Sequence, residues 1–516
     1  MITYDFPCFV SFVLLEISRS ILDFLGMYRP DFKTFCNLAK RANFIPVYKE
    51  FLADIETPVT AYLKLKDKDY SFLLESAEGG EKWGRYSFIG CTPILVITYQ
   101  DEKVTISSPE GKSIYEKIND PLPLFRQILK GFHLAQLSEL PRFQGGLIGY
   151  FSYDVVRCFE RLPNLSVKDL SIPRAIFVLP KTLIMFDHVK HTVKIVSFVD
   201  LRREKELKKA YEEAISSIEN NISQLRSPLH YRPESLSIST ISSNFSKESF
   251  MSAVEKIRSY IFSGDAIQIV LSQRLSAEIR GDDFSIYRAL RSINPSPYMF
   301  YINFDGLKLI GSSPEILVRL EDGLITLRPI AGTRPRAKDN NKDLALEKEL
   351  LNDPKERAEH IMLVDLGRND VGRVSKPGTV KVTDLMVVER YSHVMHIVSN
   401  VTGRLQEKMD AFDVLRASFP AGTVSGAPKI RAMEIIEEFE PTRRGPYAGA
   451  VGYFSLSGDM DFCITIRTVV VWENMLYVQV GAGIVADSVP EREYEETMNK
   501  AKAMLKAIGW TVKGLL

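Results

Sequence analysis

Gly146-Leu-Ile-Gly149-Tyr150-Phe151-Ser152 returns in the second half of the chain as Gly449-Ala-Val-Gly452-Tyr453-Phe454-Ser455. The separation is far too long for a solenoid repeat, so the echo reads as two similar strands, one in each half. Around them the β-type runs are short, numerous and hairpin-like, as at residues 94–99, 175–179 and 192–198, with helical stretches between. This pattern predicts an α+β protein of antiparallel sheets packed by helices, and not a doubly wound parallel sheet. One motif argues the other way. Gly481-Ala-Gly483-Ile-Val-Ala486 matches GxGxxA after a predicted strand at 475–480. Too little chain follows it for the rest of a βαβ unit and its acidic ribose ligand, so a dinucleotide site is rejected.

The 516 residues carry 66 Lys plus Arg against 65 Asp plus Glu, with 45% hydrophobic and 25% charged content. That composition is globular and large enough to bury a sizeable core. A net charge of +1 argues against nucleic acid as a partner, since phosphate binding needs clustered cations. No apolar run of about 20 residues is present, so no membrane span is expected. Residues 7–17 are apolar, but Asp5 and Glu16 and the lack of a cleavage site argue against a signal peptide. Five scattered cysteines without a CxxC pair suggest a reducing, cytoplasmic setting and no disulfide framework. Residues 1–30 read as an N-terminal extension, with Met27 a candidate for the true start. Residues 31–226 form a first region that ends in a charged helix at 201–219. Residues 227–246, rich in Ser and carrying Pro228 and Pro233, read as a linker. Residues 247–516 form a second region, opened by a helix at 250–262 that Ser246 or Ser249 could cap.

Two predicted helices carry paired carboxylates on one face: Glu356 and Glu359 in a helix over 354–364, and Glu493 and Glu496 in the last helix, from Pro490 to about Gly509. A few hard oxygen ligands with open positions suit Mg²⁺ bound together with an anionic substrate, although such pairs are usually solvated helix surface. Pro420-Ala-Gly-Thr-Val-Ser-Gly-Ala-Pro-Lys429 runs into a helix start that could receive an anion, with Ser425 as cap and Pro428 in the first turn; its spacing is not that of a P-loop. Pro329-Ile-Ala-Gly-Thr333 reads as a hairpin bend. His393 and His396, three apart in a strand, cannot line one site together, and either could be a core histidine. No nucleophile elbow is present, so acyl-enzyme chemistry has no support.

Leu73-Leu-Glu-Ser76, Gly84-Arg-Tyr-Ser-Phe88, Pro329-Ile-Ala-Gly-Thr333, Asp365-Leu-Gly-Arg-Asn-Asp370, Pro420 to Pro428 and Gly481-Ala-Gly483 occur in this order. Together they make the chain resemble the anthranilate synthase component I family of chorismate-utilising enzymes, from about residue 31 to residue 508. The resemblance implies that family's fold, two large antiparallel β-sheets in a sandwich with flanking helices. It implies conversion of chorismate and ammonia to anthranilate and pyruvate, the first step of tryptophan biosynthesis. Mg²⁺ would be held by Glu359 and Glu496, supported by Glu356 and Glu493. Substrate would be held by Gly332, Thr333, Gly426, Tyr447, Arg467, Gly481, Ala482 and Gly483. Glu315 resembles the general acid, and His396 the residue assigned to pyruvate elimination. Gln268 stands where water-adding relatives carry a Lys base, and Ala331 where aminodeoxychorismate-forming relatives carry a nucleophilic Lys. Both substitutions disfavour those two activities. Tryptophan, as feedback inhibitor, would bind Ser76, Pro297, Tyr298 and Met299. A glutamine amidotransferase subunit, component II, would supply ammonia within a heterotetramer. A non-catalytic tryptophan-binding regulator would keep Ser76 but would not need Glu315, Arg467 and both carboxylate pairs.

Overall fold

The computed structural model describes residues 27–65, 69–76, 84–391 and 394–515. The two echo segments lie side by side. Strand Gly146–Phe151 pairs antiparallel with strand Ala450–Ser455, and Gly149 faces Gly452. The glycines are needed there: a Cβ on Gly149 would stand 2.0 Å from the Ile176 carbonyl oxygen, and one on Gly452 would stand 2.0 Å from that of Asp461. Backbones approach too closely at this point for any side chain.

Every ladder between described strands is antiparallel, and the ladders split into two sheets that share two long strands. Strands Tyr86–Gln100 and Ala175–Asp187 pair along their length, with a register shift between Pro93 and Leu95. On one side of that irregularity Phe88–Gly90 holds Ser71–Glu75. From there the first sheet runs through Tyr298–Phe304, Leu307–Ser313, Thr468–Trp472, Met475–Ile484 and Gln268–Arg280. On the other side Ala175–Val178 holds Gly146–Phe151. The second sheet continues through Ala450–Ser455, Met460–Ile464, Ile316–Glu321, Leu324–Leu327 and Val394–Arg404. The sandwich expected from the sequence is therefore present, and both regions of the chain contribute strands to both of its sheets.

Alternation along one strand explains the layers. Phe300, Ile302 and Phe304 join Leu317, Val318 and Val451 in one buried cluster. Met299 and Tyr301, of opposite parity, join the helices outside the first sheet. Those helices are Pro58–Leu65, Leu207–Arg226, Phe284–Ile293 and Pro490–Val512. Outside the second sheet, Phe125 and Phe412 pack their rings against Phe151, Phe177 and Phe454.

Several local expectations change. The charged helix is Leu207–Arg226, later at both ends than predicted, because residues 201–203 form a turn pinned by Asp200. Residues 237–238 and 242–243 of the linker are short strands paired onto Gln268–Arg280. Of the extension, Tyr28–Arg29 pairs with Phe44–Leu52, while residues 1–26 lie outside the described residues. No described helix is long and apolar enough to cross a membrane.

Adding one methyl group at the crossing of the two echo strands should be costly. Gly149→Ala is expected to lower stability by about 3 kcal/mol, as overpacking against an immovable backbone does. A guanidinium midpoint equal to that of the unaltered protein would contradict the close approach.

Candidate active site

The carboxylate-bearing helices begin where their caps place them. Asp353 caps Pro354–Gly372, its side chain accepting from the amides of Lys355 at 3.0 Å and Glu356 at 3.2 Å. Pro354 stands in the first turn, and the helix runs beyond the predicted end at 364. Pro490 likewise opens Pro490–Val512, with Glu491 and Glu493 in its first turn, where the helix dipole favours negative charge. The two helices bring their Glu residues within electrostatic reach. Burial raises the pKa of Glu359, and the charges of Glu356 and Glu496 raise it further. Glu493 is raised first by burial and then by Glu496. Like charges gathered in a low dielectric repel, and a bound cation relieves this.

Three cationic or polar groups already meet these carboxylates. Lys500 places Nζ 2.8 Å from Glu496 Oε1 and donates to the Gly481 carbonyl at 3.0 Å. Arg334 pairs with Glu356 at 3.2 Å and with Asp353 at 2.8 Å. The Gln268 amide donates from Nε2 to Glu359 Oε1 at 3.1 Å. Lys500 and Arg334 were not singled out from the sequence. The i,i+4 spacing of Glu496 and Lys500 was the available signal for the first. Among the described residues, no three ligating side chains converge as a ready-made metal cage. A divalent cation here would draw on few protein oxygens and complete its shell with substrate and water.

Gly481 and Gly483 do not follow the strand expected at 475–480 but belong to it. They lie inside strand Met475–Ile484, opposite Ser272 and Val270. The Gly481 carbonyl accepts from Lys500, so it points away from strand Gln268–Arg280. In an extended strand the N–H of the same residue shares that direction, and so does the N–H two residues on. Ser272 and Val270 use their own amides elsewhere, on Glu440 Oε1 and the Ser425 carbonyl. The amides of Gly481 and Gly483 thus face the open edge beyond the end of strand Thr468–Trp472. Ala482, of the other parity, is fully buried. Missing side chains leave room for neighbours: a Cβ on Gly481 would stand 2.7 Å from the Tyr447 hydroxyl, and one on Gly483 2.4 Å from Gln268 Nε2.

Gly426 also departs from expectation. Gly426–Ala427 is a two-residue strand on Gln268–Ile269, and the helix starts only at Lys429, with no side-chain cap from Pro428. Ser425 does not cap it either, since its hydroxyl donates to the Ala421 carbonyl at 2.8 Å. Extended pairing competes here with the first helical turn and wins. Pro329 to Thr333 is likewise not a hairpin bend. Strand Ile330–Pro335 bulges at Gly332, which holds φ 71°, as the shift between Ala331 and Thr333 shows. A Cβ on Gly332 would stand 3.1 Å from Glu356 Oε2, so this bulge borders the carboxylates.

The bulge also sets the histidine. His396 Nδ1 lies 2.9 Å from the Gly332 carbonyl oxygen and 3.0 Å from Thr333 Oγ1. A carbonyl can only accept, so Nδ1 carries the proton and Nε2 keeps its lone pair. Burial brings the imidazole pKa down to about 4, which keeps the ring neutral near pH 7. His393 lies outside the described residues. Glu315 sits between strands Leu307–Ser313 and Ile316–Glu321, 8% exposed. Burial pushes its carboxyl up to about 8, against the lowering effects of Thr423, Arg467 and Lys500. Arg467, at φ 49° between two strands, has its carbonyl held by the Ser312 amide at 3.1 Å and its charge felt by both Glu315 and His396.

Glu315, His396, Gln268, both Glu pairs, Gly332, Thr333, Gly426, Tyr447, Arg467, Gly481 and Gly483 are therefore linked through direct contacts or mutual charge effects. Ser76, Pro297, Tyr298 and Met299 are not among them. Glu75, next to Ser76, pairs with Met299 across two strands of the first sheet.

Comparison with known proteins shows the family. Residues 69–506 match the family model described as chorismate binding enzyme. Anthranilate synthase component 1 of Acetivibrio thermocellus is 50% identical over 491 residues, covering 93% of this chain and 99% of that protein. The Aquifex aeolicus protein of the same name is 50% identical over 476 residues, covering 91% and 96%. Among solved structures, anthranilate synthase component I from Streptococcus pneumoniae superposes with a TM-score of 0.75 at 37% identity, over 88% of this chain and 98% of that one. The menaquinone-specific isochorismate synthase of Escherichia coli shares the fold at 20% identity, with a TM-score of 0.70 over 92% and 98%. With half of its residues shared with these relatives over nearly their whole length, the chain belongs to the anthranilate synthase component 1 family of chorismate-binding enzymes.

Proposed function

We propose that the chain converts chorismate and ammonia to anthranilate and pyruvate with Mg²⁺, as the large subunit of anthranilate synthase, under feedback inhibition by tryptophan. The observation that carries this reading is Gln268. Its amide is bonded to Glu359 beside the substrate-facing strand edge, where a base would be needed to activate water. A neutral amide cannot take a proton, and ammonia needs none removed before it attacks. Ala331 is buried and offers no nucleophile of its own.

Glu359 and Glu496 would hold the cation, with Glu356 and Glu493 supporting it, and the cation would neutralise the ring carboxylate. Arg467, Tyr447 and the amides of Gly481 and Gly483 suit the enolpyruvyl carboxylate. Glu315, protonated, donates to the departing ring hydroxyl, which leaves as water while ammonia bonds to the ring. His396, with Nε2 free, then takes the ring proton as the ring C–O bond to the enolpyruvyl group breaks; the ring aromatises, and the departing enolate takes a proton on its methylene to become pyruvate. Ammonia would come from a glutamine amidotransferase partner, because no described cysteine sits in a nucleophile setting; Cys463 has its thiol pKa raised by burial.

Regulation would use the first sheet. Ser76 follows the strand that pairs with Met299, so one ligand could touch both. Asn294 donates to Ser312 Oγ at 2.9 Å, and Ser312 holds the Arg467 carbonyl at 3.1 Å. Tyr298 donates to Asp461 at 2.8 Å, and Arg319 pairs with the same carboxylate. Occupancy beside these segments can shift Arg467 only if the ligand prefers one arrangement of them.

Anthranilate fluorescence with chorismate, Mg²⁺ and ammonium salt tests the reading directly. Glu359→Gln and Glu496→Gln are expected to lose on the order of 100-fold or more of kcat/KM at limiting Mg²⁺, with unchanged circular dichroism. Near-normal rates in both would remove the metal assignment. The acid has its own signature. Glu315 is protonated below a pKa of about 8, so kcat, at saturating free ammonia, should fall as pH rises through that value. Glu315→Gln should abolish this limb and cost about 100- to 10,000-fold in rate. A basic limb that persists in the variant would assign it elsewhere. Finally, tryptophan should inhibit the unaltered chain, and Ser76→Phe should abolish inhibition while keeping turnover. Activity indifferent to saturating tryptophan would end the regulatory part alone.

A further inference from the structure

Outside the residues that would touch substrate lies a fully buried ion pair. Arg444 is 2% exposed and Glu440 4%. Arg444 donates from Nε to Glu440 Oε2 at 2.9 Å and from one terminal nitrogen to Glu440 Oε1 at 2.7 Å. The same terminal nitrogen reaches the Val270 carbonyl at 2.8 Å, and the other reaches the Val424 carbonyl at 2.6 Å. Its guanidinium carbon lies 4.7 Å from the centroid of the Tyr153 ring and 5.6 Å from that of Tyr447. Glu440 is equally committed: its Oε1 accepts from the Ser272 amide at 2.8 Å and the Ser272 hydroxyl at 2.7 Å.

These contacts fall on three segments, and each carries a group of the site. Val270 and Ser272 belong to the strand that begins with Gln268 and faces Gly481 and Gly483. Val424 lies between Thr423, which acts on Glu315, and Gly426. Tyr447 sits against Gly481, three residues after Arg444 in the same loop. The Ser425 carbonyl and Gly426–Ala427 are hydrogen-bonded to the strand directly, whereas the Val424 carbonyl, just short of that pairing, is held by Arg444. A planar fork with five donors can serve two carbonyls and both oxygens of a carboxylate at once, four bonds where an ammonium has three donors on one nitrogen.

We propose that Arg444, oriented by Glu440, is a positioning residue that sets the spacing between the Gln268 strand, the Thr423–Val424 turn and Tyr447. It acts through these groups and not on substrate. The inference rests on the chorismate reading of the site, and the two can fail separately. Groups that hold a substrate carboxylate act on ground state and transition state alike, so misplacing them appears mainly in KM.

The test is steady-state kinetics and thermal melting of two variants of the full chain. Glu440→Gln with Arg444→Met removes both charges, keeps an acceptor for Ser272 and fills the space beside the tyrosines. Neutral replacement of a buried ion pair is often tolerated, so its melting midpoint should stay within about 5 °C of the unaltered chain. KM for chorismate should rise, with kcat/KM falling on the order of 100-fold, the scale of a displacement of about 1 Å in a site. Arg444→Lys, with Glu440 intact, can reach the carboxylate and one carbonyl, so its KM should fall between the two. An unchanged KM in the double variant would show that the segments keep their spacing without the pair. Collapse of the melting midpoint in both variants would show a role in stability only. Either result overturns the assignment. Absence of chorismate turnover by the unaltered chain would instead refute the reading of the site.

Discussion

Two strands shared by two sheets are the constraint from which the rest follows. Tyr86–Gln100 and Ala175–Asp187 run through both layers, changing register at Pro93–Leu95. Because side chains alternate along each strand, that irregularity lets one pair of strands serve two sheets. The second half of the chain can then add strands only at the edges left open, beside Ser71–Glu75 in one sheet and Gly146–Phe151 in the other. Glycine faces glycine at the second junction, and the flanking strands, at Ile176 and Asp461, leave neither of them space for a Cβ. The halves of the chain are thus welded by hydrogen bonds and not docked by surface contact.

That weld places the chemistry. Strand Met475–Ile484 outruns its neighbour Thr468–Trp472, which leaves the Gly481 and Gly483 amides without a partner strand on one edge. Helices Pro354–Gly372 and Pro490–Val512 bring carboxylates up to this edge. Burial favours the protonated form of Glu315 and the neutral form of His396, as their proposed tasks need, whereas at Glu359 and Glu493 it works against the anionic form that a cation requires. The carboxyl of Glu315 keeps its proton near pH 7, and the imidazole of His396 remains a base. The metal-side carboxylates are held together against mutual repulsion. Lys500, Arg334 and Gln268 offset part of that cost.

Periodicity and turn chemistry made much of this legible in the linear sequence. Antiparallel strands with intervening helices, the paired Glu residues on two helices and the proline starts of those helices all follow from local rules. The absence of a dinucleotide fold at Gly481 to Ala486 rests instead on the antiparallel pairing of the strand that holds Gly481 and Gly483. Where several long motifs share one order, the family resemblance added expected roles for Glu315, His396 and Arg467, which no local rule assigns. Local rules failed where extended pairing overrode them. Ser425 reads as a cap, yet Gly426–Ala427 joins a strand first, and Pro329 to Thr333 reads as a bend, yet it is a bulged strand.

By itself, then, the amino-acid sequence determined the class of fold, the elements that carry the acidic groups and the family, because these depend on neighbours along the chain and on motif order. Tertiary structure alone decided that the two echo strands pair with each other and that glycines in a strand present free amides. It alone decided which imidazole nitrogen keeps its lone pair. It also set the protonation states, since Glu315 and an exposed Glu are identical in sequence and differ only in the water each has lost. The Arg444–Glu440 pair is of the same kind: four residues apart on the chain, it matters through carbonyls at Val270 and Val424 that only folding brings within 3 Å.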